Sequence, residues 1–206
     1  SHIVKSTGRE DIILNLPNIL TLTRILLTPI FILLLFLDIP YANLFALLIF
    51  IIASITDAYD GYFARKYKIV TPEGMFLDPL ADKILVSSAF ISFAILGVVE
   101  YWMVILIIFR DLFVTGLRMA MIRKGLNMVT SNIAKAKTGI QIGIIIFILL
   151  FLGLKGLPIS WIKWILQTIS WKDVIYYLML GMTLFTAITG ISYLYNNRLT
   201  IRQFLT

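Results

Sequence analysis

Six stretches of about twenty residues, each carrying few or no charges, restrict what this chain can fold into. They run roughly over 18–37, 41–64, 78–99, 101–122, 139–154 and 174–195. About twenty helical residues cross a hydrocarbon layer about 30 Å thick, so each stretch reads as a bilayer span. Hydrophobic residues make up 60% of the 206-residue chain. A soluble domain of that length has too little interior to bury them, and water would not tolerate them outside. The expected fold class is all-α, a polytopic membrane protein with six transmembrane helices.

The charges flanking the spans set the expected orientation. Lys5 and Arg9 precede the first span, and Arg198 and Arg202 follow the last. Arg65, Lys66, Lys68 and Lys83 stand at the junction of the second and third spans, and Arg123, Lys124, Lys135 and Lys137 at that of the fourth and fifth. The turns at 38–40 and 97–100 carry no Lys or Arg. The positive-inside rule therefore puts both termini and the two basic loops in the cytoplasm. Lys155, Lys163 and Lys172 fall on the opposite side, weakening the asymmetry without reversing it. The net charge of +7 concentrates at the cytoplasmic face, which suits anionic headgroups and anionic substrates and argues against nucleic acid as a partner.

The chain has no cysteine, which removes disulfide and thiol chemistry. Its one histidine is His2, beside Ser1, a pair that reads as an expression remnant. Histidine acid–base chemistry is therefore not expected. No cleavable signal is expected either, because Arg24 interrupts the first apolar run and the run is long enough to span. Residues 1–17 read as an N-terminal cytoplasmic segment with a short interfacial helix at 11–16, followed by a six-helix transmembrane domain over 18–206. Pro17 and Asn18 suit a turn into the first span. Thr71, Pro72, Glu73 and Gly74 break the chain between spans two and three. Residues 157–171 hold Trp161, Trp164 and Trp171 with Lys163, which predicts an amphipathic segment in the outer interface.

Four acidic residues lie where helix ends meet the membrane. Asp57 and Asp60 are i, i+3 and share one helix face; Asp78 and Asp82 are i, i+4 and share another. The short connection makes the two helices antiparallel neighbours, so both pairs can converge. Two carboxylates ~6 Å apart repel by roughly 2–3 kcal/mol at an effective dielectric of about 20. Four of them in a partly dry site need protons or cations. All-oxygen ligation is hard, which selects Mg²⁺, Mn²⁺ or Ca²⁺ over zinc. Two metals bridged by shared carboxylates suit phosphoryl chemistry. Helix capping would account for Asp78, which precedes Pro79, and leaves the other three unexplained. Gly61 follows Asp60, and Ala64 stands seven residues after Asp57 on the same face. Small residues there admit a flat base or a pyrophosphate to the backbone, and they equally permit close helix packing.

The string Asp57-Ala-Tyr-Asp60-Gly61-Tyr-Phe-Ala64-Arg65, eight residues, Gly74, three residues, Asp78, three residues, Asp82 resembles the signature of the CDP-alcohol phosphatidyltransferases, with every signature position filled. Asn18, Thr21 and Arg24 resemble the start of that family's first helix. Arg110-Asp111, Gly116-Leu-Arg118 and Lys135-Ala-Lys137-Thr138 resemble its phosphatidylglycerophosphate synthase branch, with Asp111 standing where glutamate would be expected. The resemblance implies the six-helix CDP-alcohol phosphotransferase fold, a homodimer, and a metal site open to the cytoplasm. It makes Asp57, Asp60, Asp78 and Asp82 the ligands of two divalent ions, Mg²⁺ or Mn²⁺, with Asp57 and Asp78 bridging. Gly61, Ala64, Arg65 and Gly74 would contact cytidine and pyrophosphate. Asp82 would also be the catalytic base. Asn18, Thr21 and Arg24 would help hold the CDP-lipid, although capping explains the first two nearly as well.

Arg110 and Arg118 stand eight residues apart on one predicted helix, with Arg110 deep in an apolar run. A lone arginine there costs several kcal/mol. Asp111 could neutralise it, but adjacent helical residues point about 100° apart. With Lys135 and Lys137, these arginines suit a pocket for a phosphate dianion; snorkelling to lipid phosphates accounts for Arg123 and Lys124. The expected reaction is transfer from CDP-diacylglycerol to glycerol 3-phosphate at the membrane. A phosphatidylinositol-phosphate synthase of the same family is the alternative within this chemistry. A membrane cation transporter is the alternative from another class, and it predicts midplane ligands on broken helices.

Overall fold

The computed structural model describes residues 9–39, 41–67, 74–126 and 132–205, with side chains described over 22–39, 41–56, 83–126 and 136–204. In chain order the helices are α1 (Arg9–Phe36), α2 (Ala42–Tyr67), α3 (Gly74–Ile95), α4 (Tyr101–Arg123), α5 (Asn132–Lys155), α6 (Ser160–Thr168), α7 (Trp171–Asn196) and α8 (Arg198–Leu205). Among the described residues there is no strand. Helix α1 packs along both α2 and α3. Helices α3 and α5 form the middle of the bundle, with α4 on α3, α2 on α5, and α7 against α4 and α5.

The inner faces carry large side chains opposite small ones. Phe31, Phe50, Phe90, Phe93, Met103 and Ile145 are fully buried, beside the buried Ala46, Ala53 and Ala89 that let backbones approach. Phe31 and Phe50 meet with ring centroids 5.6 Å apart and planes tilted by 47°. The outer faces are apolar too: Phe45, Leu48, Ile52 and Ile55 on α2, Ile105 and Phe109 on α4, and Leu184, Ile188 and Ile191 on α7 are all exposed. Large apolar side chains outside and charged ones inside fit a bundle whose solvent is lipid. Among the described residues, Ala136–Lys155 and α7 are long and apolar enough to cross a membrane.

Several boundaries differ from expectation. Helix α1 runs unbroken from Arg9 to Phe36, so Pro17 and Asn18 do not turn the chain. An interior proline loses one ladder bond and crowds the carbonyl four residues back, but packing against neighbouring helices lets membrane helices tolerate it. Helix α3 starts at Gly74 and ends at Ile95. Its end is set by Gly97, whose φ of +69° only glycine takes without strain. The tryptophan segment forms α6, with Ile162 buried and Trp161 and Trp164 exposed. The C-terminal α8, absent from the sequence expectations, is tied to the end of α4: Lys124 Nζ donates to the Phe204 carbonyl at 3.0 Å and lies 4.3 Å from that ring's centroid.

Phe50→Ala should lower the midpoint of thermal unfolding in detergent markedly, because it opens a cavity beside Phe31; in soluble cores such a change costs about 3–5 kcal/mol. Ile52→Ala, on the outward face of the same helix, should change it little. Equal effects from the two would contradict the assignment of inner and outer faces.

Candidate active site

Asp57, Asp60, Gly61, Ala64 and Arg65 lie on the last turns of α2, and Gly74, Asp78 and Asp82 on the first turns of α3. Their side chains lie outside the described residues, as do those of Asn18, Thr21 and Lys135. The helical backbone keeps each aspartate pair on one face of its helix. Because α3 begins at Gly74, Asp78 sits inside the helix and not at its cap. Capping therefore no longer accounts for it.

Lys83, the residue after Asp82, is described, and it acts electrostatically on both Asp111 of α4 and Lys137 of α5. The acidic end of α3 thus borders a second polar cluster, built around Asp111. The Asp111 side chain is only 4% exposed. Lys137 Nζ, equally buried, donates to Asp111 Oδ1. Gln141, one turn further along α5, donates through Nε2 to Asp111 Oδ2 at 2.9 Å. Arg110 Nη1 reaches the same Oδ1 at 3.2 Å. The 100° offset between adjacent residues does not separate Arg110 from Asp111, because the long arginine stem bends its guanidinium back. Its Nη2 extends to Thr189 Oγ1 on α7 at 3.4 Å.

Glycine makes room for that arginine. A Cβ on Gly190 of α7 would stand 3.0 Å from both Cγ and Nε of Arg110, tighter than side chains normally approach. The next turn of α7 brings Tyr193 within electrostatic reach of Arg110 and Arg118. Arg118 itself is exposed, two turns or about 12 Å along α4 from Arg110. Arg24, on α1, is 1% exposed. Gln141, Thr189, Gly190, Tyr193 and Lys83 were not among the sequence candidates. Gln141 could have been found, since it is the one polar side chain in the apolar run 139–152 and stands four residues after Lys137.

Two cations share one carboxylate here, so among the described residues the cluster holds one more positive than negative charge, and Lys83 acts on it electrostatically. Arg110 Nε, Gln141 Oε1 and Thr186 Oγ1 are buried without a hydrogen-bond partner among the described residues. Buried polar atoms are normally satisfied, so excess positive charge beside open donors and acceptors favours a polar, anionic ligand.

A family model described as CDP-alcohol phosphatidyltransferase matches residues 14–193. The chain belongs to that family. It is a membrane protein, as the outward apolar faces require. It is 45% identical over 140 residues to a protein of Bacillus subtilis named CDP-diacylglycerol–glycerol-3-phosphate 3-phosphatidyltransferase, covering 62% of this chain and 72% of that one. A Rickettsia bellii protein of the same name is 37% identical over 173 residues, 84% of this chain and 94% of its own. A Mycobacterium tuberculosis protein named probable phosphatidylglycerophosphate synthase is 39% identical over 184 residues, 88% of this chain and 80% of its own.

Removing the Asp111 carboxylate leaves Lys137 and Arg110 buried beside each other. Asp111→Ala should destabilise the protein by about 3–5 kcal/mol. Adding Lys137→Leu should recover part of that loss, because the pair is coupled. Denaturation in detergent of both single variants and the double variant measures the coupling, and strict additivity would show that the contact carries no energy.

Proposed function

We propose that this chain transfers the phosphatidyl group of CDP-diacylglycerol to glycerol 3-phosphate, giving phosphatidylglycerol phosphate and CMP. The observation that carries the reading is the cation-rich Asp111 cluster, which adjoins the helix bearing half of the family's acidic signature. The names of the relatives in three bacteria support the same donor and acceptor. Asp57, Asp60, Asp78 and Asp82 would hold two divalent ions, Mg²⁺ or Mn²⁺, whose charge would stabilise the phosphoryl oxygens. The donor set is all oxygen, and Asp78 is not spent on a helix cap.

Asp82 takes the proton from the acceptor hydroxyl. The freed oxygen attacks the lipid-bearing phosphorus of the donor in line, one P–O bond forms, the P–O bond to CMP breaks, and CMP carries away the negative charge. Gly61, Ala64, Arg65 and Gly74, with Asn18, Thr21 and Arg24, hold the CDP-lipid. Arg110, Arg118, Lys135 and Lys137 hold the acceptor's phosphate. The six long helices serve as six spans over 18–206, preceded by the segment 1–17, with both termini and the active site on the cytoplasmic side. Two copies pair as a homodimer.

Asp57→Asn should abolish CMP release, and raising Mg²⁺ or Mn²⁺ should not restore it. Near-normal turnover at moderate metal would remove Asp57 from its bridging role.

The acceptor is tested by initial rates with purified protein, CDP-diacylglycerol and matched concentrations of glycerol 3-phosphate, inositol phosphate, glycerol, serine and inositol. Glycerol 3-phosphate should be used and the uncharged or zwitterionic acceptors almost ignored, since each charge-assisted bond to the phosphate is worth roughly 1.5–3 kcal/mol. Arg118→Ala should raise the acceptor KM and leave donor affinity nearly unchanged. Faster turnover of inositol phosphate would keep the chemistry and replace the acceptor. Absence of CMP release with every acceptor would sink the transferase reading.

A further inference from the structure

Toward the opposite end of α5 from Lys137, roughly 15–25 Å along the helix, the bundle holds a cavity that the proposed reaction does not use. Its volume is about 190 Å³, and its walls include Phe147, Phe151 and Leu154 of α5, Ile162 and Leu166 of α6, and Trp171 at the start of α7. Trp171 stacks on Phe151 with ring centroids 5.4 Å apart. Its indole Nε1 is buried and has no acceptor among the described residues. An indole N–H can only donate, but this one lies beneath the surface of a slot whose walls are almost wholly apolar.

Three lysines adjoin the slot's wall residues along the chain. Lys155 follows Leu154, Lys163 follows Ile162 and Lys172 follows Trp171, so each is the chain neighbour of a wall residue. All three are exposed, and none is ion-paired among the described residues. The one acid in this stretch, Asp173, accepts a hydrogen bond from the Ser170 hydroxyl. Lysines on this face run against the positive-inside pattern, and the exposed Trp161 and Trp164 mark it as a headgroup level.

We propose that the slot holds one acyl chain of an anionic glycerophospholipid from the leaflet opposite the active site. The chain fills the apolar slot against Trp171, and Lys155, Lys163 and Lys172 attract the phosphate outside it. Whole small-molecule sites occupy about 300 Å³ or more, so this slot takes a chain segment and leaves the headgroup outside among the lysines. A zwitterionic lipid offers the same chain but brings a cation to three lysines. Charge therefore decides the occupant.

Full-length protein carrying Trp102→Phe, Trp161→Phe and Trp164→Phe has Trp171 as its single fluorescent indole. It is reconstituted into phosphatidylcholine vesicles containing a minor fraction of either dibrominated-chain phosphatidylglycerol or dibrominated-chain phosphatidylcholine, whose bromines quench on contact. Phosphatidylglycerol should quench at a several-fold lower mole fraction. Lys155→Gln, Lys163→Gln and Lys172→Gln together should erase that preference, each lysine accounting for up to roughly fivefold at low ionic strength. CMP release by the lysine variant should match that of the parent and confirms an intact fold. Leu166→Phe should reduce quenching by either lipid. Equal quenching by the two lipids in the parent, which needs no further variant to interpret, overturns the proposal. So does a preference that survives removal of all three lysines.

Discussion

The buried carboxylate of Asp111 is the interaction on which the arrangement of α4, α5 and α7 depends. Apolar contacts alone orient helices weakly in a bilayer, because lipid tails are as apolar as leucine, and directional polar links choose among the possible packings. Asp111 supplies such a link to Lys137 and Gln141 on α5. Its neighbour Arg110 supplies another, to Thr189 on α7. A buried ion pair is not by itself a source of stability, since desolvation offsets much of the attraction. What it contributes here is specificity: Lys137 and Gln141 lie one turn apart, so the carboxylate's two oxygens fix the register of α5 against α4.

The same arrangement leaves a charge imbalance that a purely structural link would avoid. One carboxylate would neutralise one cation, yet Arg110 and Lys137 both converge on it. Gly190 lets the arginine lie against α7, with its Nε unpartnered among the described residues. Strain and unmet polar groups of this kind collect where a ligand completes the site. An entering phosphate would meet a pair of cations already held in position, so little ordering entropy remains to oppose binding.

How much of this was legible in the sequence depended on how local the signal was. The spacing of Asp57, Asp60, Asp78 and Asp82 follows from helix geometry, so it could be read without coordinates. The apolar runs likewise marked the long helices, although hydropathy placed the end of the third span at 99 where Gly97 turns the chain sooner. Pro17 does not end the helix, because tolerance of an interior proline depends on surrounding packing that no local pattern reveals. The Arg110–Asp111 pair was misjudged because backbone direction was taken for side-chain reach. Thr189 and Gly190 could not be assigned at all, since their role arises from α7 lying against α4, contacts 79 and 80 residues apart in the chain.

On the proposed reading, acceptor choice follows from competition for the same cations. Glycerol and free inositol carry no charge to set against Asp111, so they would meet Arg110 and Lys137 with their charges already partly satisfied. A phosphate dianion would bring two negative charges to a cluster in which, among the described residues, two cations share one carboxylate. It would share the cations with Asp111, whose carboxylate holds two mutually repelling side chains side by side. Discrimination in favour of phosphorylated acceptors would then be a property of the charge balance. Discrimination among phosphorylated acceptors is not, because every one of them presents the same dianion. That second choice would fall to the room beside the Arg110 stem, which lies against Gly190 of α7.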